Sequence, residues 1–332
     1  MLKTEVKAFA KVNFILNMLG TLPSGYHELE SFMQAVDLCD SVSVEWEFTG
    51  SCADGGDGFS AAEPRRLKAA GACEGGAGAD LEVCLSPGRP DLPCDEKNLA
   101  YKAAVLMHEA FHPGVKERVS IKIEKNIPVA AGLAGGSADG AAVVTALGRL
   151  WGLIPESPEA TLPQSLLDIA AKLGSDVPFS LMAQNGVPAA VARGTGTLLT
   201  PAEPFPCCLL LMTSPFGVST KAVYQALRDD ESGPGAPKEN RYGDVKAFIS
   251  AEAAEEKVLH MGNQLTAPAL RVCPEIGPAL ERLKSIAKGA LAVQLSGSGP
   301  TCFAVYPEDA DEEELRAIKA PGLVFCRTLA DQ

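Results

Sequence analysis

Apolar and polar positions alternate first between residues 5 and 18. Lys11 and Asn13 fall on one face at period two, and Ala10, Val12 and Phe14 fall on the other, which predicts a β-strand. Two polar side chains on one face of an otherwise apolar strand fit a solvent-facing edge strand or a pair kept for chemistry. Residues 32–48 predict a further strand pair, and 119–125 and 207–213 predict single strands. The apolar period then lengthens to helical spacing over 96–112 and 137–151, where Ala142, Val143, Ala146, Leu147, Leu150 and Trp151 form one stripe ahead of Gly152. Leu166, Leu167, Ala170 and Leu173 mark a helix from Gln164 to Leu173 that stops at Gly174. A helix over 275–288 and a hairpin, 290–295 with 301–306 around Ser296-Gly-Ser-Gly-Pro300, complete the pattern. No internal repeat is visible.

Strands and helices alternate without regular strand–helix–strand spacing, which argues for an α+β fold over a doubly wound sheet. Composition shifts little along the chain. Gly194-Thr-Gly196 and the proline-rich 201–206 are the best boundary, giving expected domains 1–195 and 196–332. The glycine-rich 50–80 reads as a long surface loop, and 229–243 as a polar insertion.

The most informative stretch lies between the strand at 119–125 and the helix at 137–151. It reads Pro128-Val-Ala130-Ala131-Gly132-Leu133-Ala134-Gly135-Gly136-Ser137-Ala-Asp139. Small residues let backbone N–H groups turn toward one point, and the helix N-terminus adds partial positive charge there, which makes a phosphate site. The run lacks the Gly-Lys-Ser/Thr of a Walker A loop and the G-x-G-x-x-G of a dinucleotide loop.

At 332 residues with 46% apolar content the chain can build a sizeable core. A formal charge of −13 argues against a nucleic-acid surface. No apolar run reaches membrane-spanning length, and residues 1–7 lack a signal-peptide apolar region, so a cytoplasmic protein without membrane partners is expected. The ten cysteines contain no CxxC pair and read as reduced thiols. His108 and His112 lie four apart but lack a nearby third ligand, so a structural metal is not expected.

The Lys11/Asn13 strand, the central glycine loop and the late Leu295-Ser-Gly-Ser-Gly-Pro-Thr301 turn, in this order, resemble the three motifs of the GHMP kinase superfamily across nearly the whole chain. Ala10-Lys11-Val-Asn13, Gly25-Tyr26-His27-Glu-Leu29, Asn98-Leu99, Lys125-Asn-Ile-Pro, Gly174-Ser-Asp176-Val-Pro-Phe179, Gly217-Val-Ser-Thr-Lys-Ala-Val-Tyr224 and Gly262-Asn263-Gln-Leu265 are similar to the branch whose substrate carries a cytidine diphosphate. Ala134 stands where many family loops have glycine, and 50–80 is longer than usual.

The resemblance implies a two-domain fold. Its N-terminal, ATP-binding domain would be of the ribosomal protein S5 domain 2-like type, its C-terminal domain a ferredoxin-like α/β sandwich, with a cleft between. It further implies ATP-dependent phosphorylation of a tertiary hydroxyl on an erythritol. Asp176 would be the base and Lys11 the cation that keeps it ionised and polarises the hydroxyl. Pro128, Ala130, Ala131, Gly132, Leu133, Ala134, Gly135, Gly136 and Ser137 would hold ATP, with Mg²⁺ near Ser137. Lys125, Asn98 and Leu99 are further nucleotide candidates. Asn13, Tyr26, His27, Tyr224, Asp139, Gly297 and Ser298 would meet the substrate, with its cytosine between Tyr26 and Tyr224. A monomer or homodimer is expected.

The rival readings are a homoserine or mevalonate kinase, or a GHMP-fold protein that binds without turnover. The Gly25-Tyr26-His27 and Tyr224 elements speak against the first. Intact Lys11, Asp176 and phosphate loop speak against the second.

Overall fold

The computed structural model describes residues 1–21, 27–50, 80–155, 161–231 and 242–330. Tyr26 and most of the 50–80 and 229–243 segments lie outside the described residues.

The chain opens with two long strands, β1 (Leu2–Thr21) and β2 (His27–Phe48). Next come β3 (Leu81–Ser86), α1 (Leu99–Phe111), β4 (Glu117–Glu124), α2 (Gly135–Leu150), α3 (Gln164–Leu173) and α4 (Val177–Ala183). β5 (Ala189–Gly194), β6 (Leu198–Pro201), β7 (Cys207–Met212), α5 (Thr220–Glu231), α6 (Val245–Ser250) and α7 (Ala254–Leu259) follow. The last elements are β8 (Gly262–Asn263), α8 (Thr266–Val272), α9 (Ile276–Ile286), β9 (Ala292–Leu295), β10 (Cys302–Pro307), α10 (Glu312–Ala317) and β11 (Leu323–Arg327).

The expected strand pair at 32–48 is one continuous strand. Residues 31–36 are all buried, whereas Val42 and Val44 alternate with more exposed neighbours. That change of burial regime imitated a break, yet no turn residue interrupts the backbone. β1 makes the same change: Val6 and Ala8 alternate with exposed residues, and 10–18 are wholly buried. Lys11 and Asn13 are therefore core residues, and the solvent-facing edge-strand reading is overturned.

Two compact units form, each from three stretches of chain: 1–8, 40–126 and 136–186 in the first, and 9–39, 127–135 and 187–332 in the second. In the first unit, the end of β2 pairs antiparallel with β4, and β3 pairs parallel with β4. Val42, Val44, Val119, Ile121 and Ile123 supply the sheet side of its core, and α1, α2 and α3 supply the helix side. Helix α2 is buried from Ala138 through Gly148. Its alanines and glycines permit that depth: a Cβ on Gly140 would come within 3.1 Å of the Leu99 side chain.

In the second unit, the start of β2 pairs with β5, β5 pairs with β6, and β1 meets the short parallel β8 at Ile15 and Leu16. A separate antiparallel sheet runs in the order β11-β7-β10-β9, with β9 and β10 forming the expected hairpin. Phe14, Phe32, Phe205, Phe248 and Phe303 meet in its core.

The eight described cysteines are free thiols. No helix among the described residues is long and apolar enough to cross a membrane.

Candidate functional site

The glycine loop is built by alternation. Ile127, Ala131 and Leu133 are buried and anchor it in the core of the second unit. Ala130, Gly132 and Ala134, between and beside those anchors, hold left-handed φ values of 56°, 76° and 59°. Successive residues of opposite φ sign turn neighbouring N–H groups toward a common side, the geometry of an anion nest. Two alanines in this conformation are costly, at about 1–2 kcal/mol each, so the loop stores strain where the sequence placed a binding function. The loop runs straight into α2 at Gly135, and a Cβ on Gly136 would meet nothing within 4 Å. The helix mouth is open at this position.

Two motifs far from this loop in sequence converge on it within the second unit. The Lys11 N–H donates to the Leu133 carbonyl at 3.1 Å, and the Thr301 N–H donates to the Ala131 carbonyl at 3.3 Å. A Cβ on Gly132 would collide with the Gly299 carbonyl oxygen, so the loop and the Ser296–Pro300 turn touch backbone to backbone. That turn is held by Asn263, whose Nδ2 donates to the carbonyls of Leu295 and Gly297 at 2.8 and 2.7 Å.

On β1, Lys11 Nζ donates to Asn13 Oδ1 at 2.6 Å. A Cβ on Gly297 would lie 3.3 Å from Asn13 Oδ1 and 3.9 Å from Lys11 Nζ. Gly297 thus leaves room above the pair. Ser298 Oγ lies 2.9 Å from Thr220 Oγ1 at the start of α5. One turn along α5, the Tyr224 ring lies 5.4 Å from that of the buried His27.

Asp176, in the first unit, precedes α4 and makes no side-chain capping bond to it; its carbonyl accepts from Ser180 N–H instead. A cap is therefore not what this carboxylate is for.

Lys125 and Asp139 are placed differently from expectation. Lys125 Nζ is buried between two carboxylates, bonding Asp139 Oδ2 at 2.7 Å and also Asp40. Its charge is shared by two carboxylates inside the first unit. Burial pushes the Asp139 carboxyl up to about 7, against the pull of Lys125, and Asp40 adds to the rise. Asn98 caps α1: its Oδ1 accepts from Ala100 N–H at 3.0 Å and its Nδ2 donates to the Pro93 carbonyl at 3.0 Å. Leu99 packs on α2 at Gly140.

His108 and His112 each bond a different oxygen of Glu117, at 2.7 and 2.8 Å, and Trp46 Nε1 adds a third donor at 2.6 Å. Among the described residues no group of His, Cys, Asp or Glu could hold a metal ion.

Sequence reading missed Asp40, Ser31 and Gln294. Gln294 Nε2 donates to the Asn13 and Phe14 carbonyls at 3.1 and 2.9 Å. These side chains serve others, so no local pattern marked them.

A nest-shaped loop at a helix mouth, a buried lysine strand and a glycine turn on one α+β scaffold are the combination expected of a GHMP kinase. The pattern described as the GHMP kinases N terminal domain matches residues 98–184, and that of the GHMP kinases C terminal matches 245–322. The 4-diphosphocytidyl-2-C-methyl-D-erythritol kinase of Pelotomaculum thermopropionicum is 36% identical over 316 residues, 94% of this chain and 91% of its own. That of a Geobacillus species is 35% identical, covering 92% and 89%. A crystal structure of 4-(cytidine 5'-diphospho)-2C-methyl-D-erythritol kinase matches with a TM-score of 0.68 and 30% identity, over 98% of this chain and 99% of its own. The chain belongs to the GHMP kinases and, within them, to the 4-diphosphocytidyl-2-C-methyl-D-erythritol kinase family.

Proposed function

We propose that this chain transfers the γ-phosphoryl group of ATP to the 2-hydroxyl of 4-diphosphocytidyl-2-C-methyl-D-erythritol. The products are the 2-phosphate and ADP, in the non-mevalonate route to isoprenoid precursors. The observation that carries this reading is the convergence of the Lys11–Asn13 pair, the φ-alternating loop and the Gly297 turn in one unit.

Phosphoryl transfer asks the protein mainly for positioning and charge neutralisation. Residues 128–137 hold the β- and γ-phosphates through backbone N–H groups. Ser137 would hold the Mg²⁺ that accompanies the nucleotide, and that ion would supply neutralisation of phosphate charge. Asp176 accepts the proton of the attacking hydroxyl. The hydroxyl oxygen bonds the γ-phosphorus as the bridging P–O bond breaks, and that electron pair leaves on ADP. Lys11 stabilises the charge developing on the attacking oxygen. Tyr224 and Tyr26 take the cytosine, with His27 and Ser298 at its polar edges. Asn98 and Leu99 border the adenosine through their backbone.

The proposed functional division is 1–195 on the ATP side and 196–332 on the substrate side; it differs from the two compact units, which join 9–39 and 127–135 to 187–332. The two family matches fall on either side of that boundary. A cytosolic location is part of the proposal.

The test is ADP release with the cytidine substrate, homoserine and mevalonate offered in parallel. Only the cytidine substrate should support it. Turnover of either other alcohol in its place overturns the substrate. No ADP with any of the three, from folded protein, favours binding without turnover.

A further inference from the structure

The Lys11–Asn13 pair does not end at Asn13. Asn13 Nδ2 donates to Ser31 Oγ at 2.8 Å, and Ser31 Oγ donates to the Ile15 carbonyl at 2.6 Å. Lys11, Asn13 and Ser31 are 5%, 3% and 1% exposed, so water does not substitute for these partners. Lys11, Asn13 and Ile15 share one face of β1 at period two, and Ser31 projects from β2 onto it.

We infer that Ser31 is a positioning residue of the reaction, because it fixes which way the Asn13 amide faces and so where the Lys11 ammonium sits. The argument is one of proton supply. An ammonium only donates, so Asn13 must present Oδ1 to Lys11. The Asn13 amide hydrogens then point at Ser31, which must accept. Ser31 owns a single proton, and the Ile15 carbonyl can only accept, so the proton goes there. The chain therefore runs one way, from Lys11 to Asn13 to Ser31 to the backbone of β1. A turned amide would set an NH₂ against an ammonium. An alanine at 31 removes the acceptor that prevents this turn, and strands a buried amide hydrogen. The inference rests on the reading of Lys11 as the cation of phosphoryl transfer.

The experiment is a double-mutant cycle in kcat with ATP and the cytidine substrate, using Ser31→Ala, Asn13→Ala and the double variant, with Lys11→Met alongside. Ser31→Ala should lose roughly 5- to 100-fold in kcat with the KM for ATP within about twofold of the parent. In the Asn13→Ala background the same change should cost almost nothing, since the route to Lys11 through Asn13 is gone. Equal losses in both backgrounds, or a loss that appears only as a higher KM for ATP, overturn the inference.

Should Ser31→Ala fail to fold, Ser31→Cys carries the cycle. Its weak thiol donor and acceptor should give kcat below the parent's in the Asn13 background and no loss in the Asn13→Ala background. Loss in Lys11→Met without loss in Ser31→Ala or Ser31→Cys overturns the role of Ser31 and leaves that of Lys11. Full turnover in Lys11→Met overturns both.

Discussion

The Lys125 ammonium lies 2.7 Å from Asp139 Oδ2, so residues on either side of the glycine loop are tied to each other in the first unit. Asp40 closes the group from β2. Lys125 leaves β4 just before the loop, and Asp139 lies one turn into α2 just after it. The two roots of the loop therefore share one buried cation. Lys125→Met would leave two carboxylates buried without it. Breaking such a group by removing one partner costs about 3–5 kcal/mol. Urea unfolding should show a loss of that size. A stability within 1 kcal/mol of the parent, paired with a large rise in the KM for ATP, would return Lys125 to the nucleotide.

Gly132 sits at φ +76°, and a Cβ there would strike the Gly299 carbonyl oxygen. Backbone cannot yield as a side chain can. Gly132→Ala should lower stability by about 1–3 kcal/mol or more and weaken ATP together with it. Gly136→Ala is the contrast, because its added methyl meets nothing within 4 Å. That variant should keep its melting temperature and still raise the KM for ATP, since only an incoming phosphate is crowded. Unchanged ATP affinity in Gly136→Ala argues against phosphate at this helix mouth.

Asp176→Asn should reduce kcat by roughly 10²–10⁴-fold, the usual range for a general base. Because Asp176 does not cap α4, the helix should stay folded in this variant, as its circular dichroism would show. Nucleotide titration should give near-parental affinity. Near-normal kcat would place the base elsewhere.

Tyr224 faces His27 at 5.4 Å between ring centres, and the base-stacking role rests on its ring. Base–aromatic stacking is worth about 1–3 kcal/mol, so Tyr224→Ala should raise the KM for the cytidine substrate roughly 5- to 150-fold. The KM for ATP should not move, and Tyr224→Phe should be nearly silent. A loss confined to ATP would move Tyr224 to the adenosine.

Burial pushes the Glu117 carboxyl up, but hydrogen bonds from His112, His108 and Trp46 outweigh it, and the net is a value below the ordinary 4.5. A depressed carboxyl contributes stability that is complete above about pH 4.5 and fades as pH falls through its folded value. Glu117→Gln should therefore be less stable than the parent at neutral pH, with the gap closing in acid. Urea midpoints measured from neutral to acidic pH read this directly. A gap that stays constant below pH 4.5 would mean that packing at Glu117, and not its charge, carries the effect.

The helices were legible where a stripe faced one core. Gln164–Leu173 lies where its leucines placed it, and β4 and the β9–β10 hairpin follow from local alternation and the Ser296–Pro300 turn. The glycine loop was legible because its left-handed turns and its backbone contact with the Gly299 turn demand small residues in a row. The 32–48 segment misled because a strand buried on both faces loses its period of two.

The sequence by itself determined which residues could do chemistry here: a lysine strand, a phosphate loop before a helix, an aspartate after a helix stop, and a late glycine turn. Each is a local pattern, set by backbone geometry within a few residues. Only the tertiary structure decided which charges are already taken. Lys125 and Lys11 look alike in sequence, yet Lys125 is held by Asp40 and Asp139, while Lys11 is aimed through Asn13 and Ser31. Asp40 is 85 residues from Lys125, and Ser31 is 18 from Asn13. Hydrogen bonds and ion pairs across such separations exist only once strands are in register, because their strength depends on ångström distances and on the exclusion of water, and neither is written in the order of residues.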